Sequence, residues 1–192
     1  MAIQINGNGT ITGISSGGLP AGSVTSATLA DGAASGTKLT MPAGSIVQVV
    51  YASYGPTTTN NTTSYADTGL TATITPTSSS NKIHIIVSQP YRLGRSSASD
   101  VSGAIQLYRS QSGTNTAVTS NAGYLLYHDM GVSMTGVYFY NVYNVSVQDS
   151  PNTTSAVSYV TKARTYSGSS DIKTQYNGTS YMTLMEIKVW VQ

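Results

Sequence analysis

The sequence predicts an all-β protein preceded by an extended, non-helical N-terminal segment. Three observations carry that expectation. From Ser45 onward, short runs rich in Val, Ile, Thr and Tyr alternate with Gly, Pro, Asn and Ser turn signals. No window holds the spacing of a long amphipathic helix. Residues 14–39, ISSGGLPAGSVTSATLADGAASGTKL, place Ile14, Leu19, Val24, Leu29, Ala34 and Leu39 five apart, a period that belongs to neither a helix nor an ordinary strand.

Residues 1–13 (MAIQINGNGTITG) alternate Ile3, Ile5 and Ile11 with polar neighbours between glycines. They read as an attachment segment, a short strand that plugs into another protein, or as a disordered terminus. The pentad segment, 14–44, follows. Burying one Leu or Val contributes ~1.5–3 kcal/mol, whereas ordering five backbone residues costs roughly 5–10 kcal/mol. One chain therefore cannot order this segment alone. It is a flexible linker, which its Gly and Ser content favours, or a shaft in which several copies share an apolar axis, which the kept phase favours. The axis residues would be Ile14, Leu19, Val24, Leu29 and Leu39. Fully extended, 14–39 would reach roughly 80 Å at ~3.2 Å per residue. Pro42 and Gly44 then mark a turn, and the boundary falls there.

The third segment, 45–192, reads as strands. SIVQVVYASY is apolar on both faces except at Gln48, as in a strand covered on two sides. LTATIT turns Leu70, Ala72 and Ile74 inward. NKIHIIVSQ sets Ile83, Ile85 and Val87 against Lys82, His84 and Ile86, with Pro90 and Gly94 closing the strand. VSGAIQLYR places Val101, Ile105 and Leu107 inside. GVYFYNVYNVSVQ gives one face to Val137, Phe139, Tyr143, Val145 and Val147 and the other to Tyr138, Tyr140 and Val142. AVSYVTKARTY turns Val157, Tyr159 and Ala163 inward, Lys162 and Arg164 outward. YMTLMEIKVWV is expected to bury Met185, Ile187, Val189 and Val191 and to present Leu184, Glu186, Lys188 and Trp190. About eight such strands fit a jelly-roll-like sandwich. A face with paired tyrosines is too apolar for open solvent and too polar for a core, so Tyr138, Tyr140, Leu184 and Trp190 are the expected subunit contact.

Composition narrows the function. Only 8% of the 192 residues are charged, against about 25% in ordinary soluble proteins. The net charge of +2 is scattered, Arg92 and Arg95 being the nearest pair, so neither nucleic acid nor an acidic membrane is the expected partner. No cysteine is present, which removes disulfides, thiol nucleophiles and Cys-ligated metals. MAIQINGNG has no basic and apolar leader pattern, so synthesis in a cytoplasm without a signal peptide is expected, and no apolar run is long enough for a membrane span.

Catalytic patterns are missing. The seven acids stand far apart in sequence. Asp129 and Asp149 are the pair that folding would have to unite for glycoside hydrolysis, which needs two carboxyls within about 5–10 Å. His128 and Asp129 adjoin, but no G-x-S-x-G surrounds a serine. His84 and His128 lack helical metal-ligand spacing, and no phosphate-cradling glycine motif follows a strand. The expectation is a non-enzyme with no cofactor or metal.

GTITGISSGGLPAGSVTSATLADGAASGTKLTMPAGSIVQVV resembles the N-terminal shaft region of bacteriophage tail fibres and related virion fibre proteins, in which units of the type G-(S/T)-V-T-x-A-x-L-A-D-G-A-x-x-x-K-L precede a β-rich head. The resemblance covers about the first quarter of the chain closely and the rest in general style. It implies a homotrimer located in the virion, with 1–13 attached to a tail, baseplate or capsid protein, 14–44 as shaft, and 45–192 as a head facing host-surface polysaccharide. Three heads on one axis would multiply a weak contact. The expected receptor-facing loops are 55–65 and 110–122, with Asn60, Asn61, Tyr65, Asn115 and Asn121 as contacts. The same architecture also suits a capsid decoration, head fibre or baseplate protein that binds no receptor, and a depolymerase acting through Asp129 or Asp149 is the third alternative.

Overall fold

The computed structural model describes residues 4–5, 11–12, 41–95, 101–119, 126–128 and 136–189, with backbone alone at 4–5, 11–12 and 126–128. The chain divides into two units, 1–40 and 41–192. In the first, β1 (Gln4–Ile5) pairs antiparallel with β2 (Ile11–Thr12), Ile5 opposite Ile11. The shaft-axis positions Ile14, Leu19, Val24, Leu29 and Leu39 lie outside the described residues.

The second unit is all-β, with no helix among the described residues and two antiparallel sheets around one core. The larger sheet holds β3 (Ile46–Tyr54), β4 (Thr58–Asn60), β6 (Lys82–Arg95), β10 (Tyr138–Asp149), β12 (Ser170–Thr174) and β13 (Ser180–Ile187). Its spine is β6. One edge of β6 pairs along its length with β10; the other pairs first with β13 and then with β12, which continue to β3 and β4 respectively. The smaller sheet runs β5 (Ala66–Ile74), β11 (Val157–Thr165), β7 (Val101–Gln111), and then β8 (Thr114–Ala117) at one end of β7 and β9 (Leu126–His128) at the other.

The period-two alternation of the sequence builds the core directly. Leu70, Ala72 and Ile74 of β5 and Val157, Tyr159 and Ala163 of β11 join Val101, Ile105 and Leu107 of β7. From the larger sheet come Ile83, Ile85, Val87, Tyr91 and Leu93 of β6, with Tyr143 of β10, Ile172 of β12 and Met182 and Leu184 of β13. Phe139, Val145 and Val147 pack against the same cluster. A polar seam crosses it: Gln89 Nε2 donates to Thr68 Oγ1 at 2.9 Å, and the Thr68 and Thr161 hydroxyls lie 2.6 Å apart. These hydrogen bonds offset part of the cost of burying the three polar side chains.

Three expectations need correction. In β13 the faces are reversed: Leu184 and Glu186 are fully buried, while Met185 and Ile187 turn to the outer face. Both faces are apolar enough for either register, and the choice is set by Glu186. Its Oε1 accepts hydrogen bonds from Thr77 N (2.7 Å), Thr77 Oγ1 (2.8 Å) and Asn81 Nδ2 (2.7 Å), so the carboxylate holds together the turn before β6. Second, β3 is covered on one side. Val50, Ala52 and Tyr54 pack on the core, but Val49 and Tyr51 are 58% and 61% exposed. Third, β6 does not end at Pro90 but runs to Arg95. Pro90 sits where its neighbour changes from β13 to β12, beside the 175–180 connection, so its missing N–H breaks no ladder bond there; its carbonyl accepts from Gln175 N at 2.9 Å.

Candidate functional site

The two outer faces of 41–192 have opposite chemistry. On the larger sheet, alternation carries Tyr138, Tyr140 and Val142 of β10 outward at one end, opposite Gly94, Arg92 and Pro90. Further along, Ile86 of β6, between Ser146 and Thr183, is followed across the sheet by Tyr181 of β13 and by Val49 and Tyr51 of β3. Tyr138, Tyr140, Val142, Ile86, Tyr181, Val49 and Tyr51 account for the exposed large apolar side chains among the described residues apart from Met41 and Ile46. Tyr51 and Tyr181 stack with ring centroids 6.0 Å apart. At the other end, the Arg92 guanidinium lies 4.4 Å from the Tyr138 ring centre and 5.1 Å from that of Tyr176, and ion-pairs with Asp171. Tyr176 also meets Tyr140 at 5.7 Å. Gly94, directly opposite Tyr138, leaves the space its ring occupies: a Cβ there would lie 2.6 Å from Tyr138 Cδ1. Tyrosine and arginine so arranged are the residue types that concentrate binding energy at protein contacts.

The smaller sheet's outer face is polar. Between Thr71 and Asp67 of β5, opposite Val160 and Lys162 of β11, the ladder is broken by a bulge that carries two extra residues on β5. Gly69 occupies it at φ +87°, with the Tyr54 ring pressed against its α-carbon side. The bulge opens a trough of about 320 Å³ lined by Asp67, Gly69, Thr71, Ser110, Asn115, Ser158, Val160 and Lys162. Lys162 Nζ forms an ion pair with Asp67 Oδ1 at 2.7 Å, with the Asp67 side chain 64% exposed and that of Lys162 only 16%. Next to the trough, Tyr108 meets Lys162 (5.7 Å to the ring centre) and Tyr65 (5.7 Å, edge on). Arg164 reaches both Tyr65 (4.8 Å) and Tyr166 (4.2 Å). Its hydrogen bond with Tyr166 raises the Arg164 pKa, and burial raises that of Tyr65.

The expected contact residues divide between these places. Tyr138 and Tyr140 lie together on the outer face of the larger sheet. Leu184 does not join them: it is in the core, and its assignment to a subunit contact is corrected by the reversed face of β13. Trp190 and Asn121 lie outside the described residues. Asn60 is also corrected as a receptor-facing residue, being 8% exposed. Its Nδ2 donates to Ala163 O (2.6 Å) and Ser64 O (3.2 Å), and its Oδ1 accepts from Thr62 N (2.8 Å), so it shapes the 60–65 loop from within. Asn61 is exposed, Tyr65 is half-buried beside Arg164, and Asn115 lines the trough. His84 Nε2 lies 3.2 Å from Ser146 Oγ across the β6–β10 pair.

The trough itself escaped sequence reasoning, although ADTGL carried a signal: an isolated glycine inside a strand pattern marks a bulge. Nothing in the local sequence says that Lys162 and Asn115, on two other strands, meet there. Among the described residues no group of three or more His, Cys, Asp or Glu side chains is placed to hold a metal, and no helix is long and apolar enough to cross a membrane. No family model matches the chain, and no characterised protein matches it in sequence.

Proposed function

We propose that this chain is a bacteriophage virion fibre protein: a homotrimer whose N-terminal residues attach to the particle, whose pentad segment spaces, and whose β head meets a host-surface glycan. The observation that carries the proposal is the one-sided surface of 41–192. Val49, Tyr51, Ile86, Tyr138, Tyr140, Val142 and Tyr181 are all exposed on the outer face of one sheet, more apolar surface than a monomer in water needs, whereas copies sharing an axis cover it. The pentad segment needs the same thing, several chains in register, to acquire order. The polar outer face of the other sheet is then left to meet the host.

The jelly-roll form of the head is supported by strand order. β3-β13-β6-β10 faces β5-β11-β7-β8, and the chain passes from one sheet to the other at β3, β5, β6 and β7 before β10, β11 and β13 return beside earlier strands. Such an order is the one that a chain wrapped as two Greek keys would have.

Sedimentation equilibrium of the full chain at micromolar concentration tests the assembly. The expected mass is three times the chain's 20.0 kDa, falling to the single-chain value when Tyr51 and Val142 are both replaced by Lys. A full chain that sediments as a monomer would remove the basis of the fibre. A trimer that binds no host glycan would instead be a decoration, head-fibre or baseplate protein.

A further inference from the structure

The trough at the β5 bulge has the dimensions and donor set of a sugar subsite. Its volume of about 320 Å³ lies at the small end of the roughly 300–1,000 Å³ of small-molecule sites, enough for one monosaccharide unit. We propose that it binds a single neutral hexopyranose of a host polysaccharide through a pair of neighbouring hydroxyls; this rests on the host-surface recognition proposed above and assigns it to a place.

Each part of the trough matches a part of such a sugar. Asp67 Oδ1 is paired with Lys162 Nζ, and the carboxylate, 64% exposed, is open on its solvent side to accept from the diol. Charge-assisted bonds of this kind are the strong ones. The Lys162 ammonium, paired in charge with Asp67, carries three N–H donors. Asn115 on β8, level with Ser110 of β7 and Ser158 of β11 and so at the diagonally opposite end of the trough from the Asp67–Lys162 pair, offers an amide that both donates and accepts, and the Thr71 and Ser110 hydroxyls add to the lining. Val160 is the one apolar side chain of the lining, and it gives the C–H face of a pyranose a surface to rest on. The charge balance selects a neutral sugar. Lys162 is already matched by Asp67, and the carboxylate is the more exposed of the two, so an acidic sugar would meet a negative charge first.

The test is saturation-transfer NMR on the full chain with methyl glycosides of glucose, galactose, mannose and, as the charged comparison, glucuronic acid. One or more neutral glycosides should bind weakly, and Asp67→Asn and Asn115→Ala should each lower that affinity by about tenfold or more, the loss of one well-placed hydrogen bond to a charged or buried polar group. Lys82→Ala, at an exposed position of the larger sheet that belongs to neither the trough nor the aromatic cluster, should leave the affinity unchanged. Preference for the glucuronide would overturn the neutral assignment. Sugar binding that survives both trough substitutions, or retention of the chain on immobilised dextran, mannan or galactan with all glycosides silent, would overturn the trough and leave host recognition standing. Silence towards glycosides and polysaccharides alike would overturn both.

Discussion

The Tyr159 hydroxyl, on β11 of the smaller sheet, donates to Asp149 Oδ2 at the end of β10 in the larger one, at 2.8 Å. Arg109 Nη1, from β7, reaches both oxygens of the same carboxylate at 2.9 Å. Asp149 is thus a clasp between the two sheets, with both oxygens engaged by the fold. Replacing it with Asn leaves Arg109, itself largely buried, without its counter-charge. The expected cost is about 2–4 kcal/mol, read as a lower urea midpoint at unchanged slope. Tyr159→Phe keeps the ring in the core and loses one hydrogen bond, so about 1–2 kcal/mol is expected. A depolymerase acting through Asp149 predicts the reverse pattern: sugar release abolished in Asp149→Asn with the urea midpoint unmoved.

The same clasp sets an alkaline limit. Burial, and after it the bond to Asp149 and the carboxylate's charge, raise the Tyr159 pKa far above its ordinary 10.0. Burial also raises those of Tyr91 and Tyr143. Above pH 10 the unfolded chain therefore releases phenolic protons that the folded chain retains. Stability is full below the unfolded value and declines as pH climbs past it toward the folded value. Urea midpoints measured from pH 8 to 11 should be flat and then fall, and the fall should be shallower in Tyr159→Phe. An equal slope in the variant would remove Tyr159 as its source.

The strands of 41–192 were legible because inward and outward residues alternate cleanly wherever one face is polar: Ile83, Ile85 and Val87 against Lys82 and His84, or Tyr159 and Ala163 against Lys162 and Arg164. Legibility failed where both faces are apolar. In YMTLMEIKV neither hydropathy nor spacing separates Leu184 from Met185, and the deciding contacts, Glu186 with Thr77 and Asn81, join residues more than a hundred positions apart. The aromatic face of β10 was readable from one strand. The trough was not, since its carboxylate, ammonium and amide come from three strands that meet only after folding. Asn60 misled because loop asparagines are commonly exposed, whereas this one caps its own loop.

The reversed face of β13 can be measured. Leu184→Ala removes a fully buried side chain and should cost about 2–5 kcal/mol with the solution mass unchanged. Met185→Ala, one position along on the outer face, should cost less than about 1 kcal/mol in chain stability and should weaken self-association instead. If the two variants exchange these phenotypes, β13 is in the opposite register.

Gly69 provides the sharpest local test of the bulge that opens the trough. At φ +87° any residue with a Cβ is strained, and the Tyr54 ring fills the space that a Cβ would need. The two effects separate by a double-mutant cycle. Gly69→Ala alone should cost more than the ~1–3 kcal/mol of backbone strain, because the Tyr54 ring must also move. In a Tyr54→Ala background the ring is gone and only the backbone strain remains, so the same substitution should cost less. Equal costs in the two backgrounds would mean that Tyr54 does not pack on Gly69, and that the bulge is held open by the backbone alone.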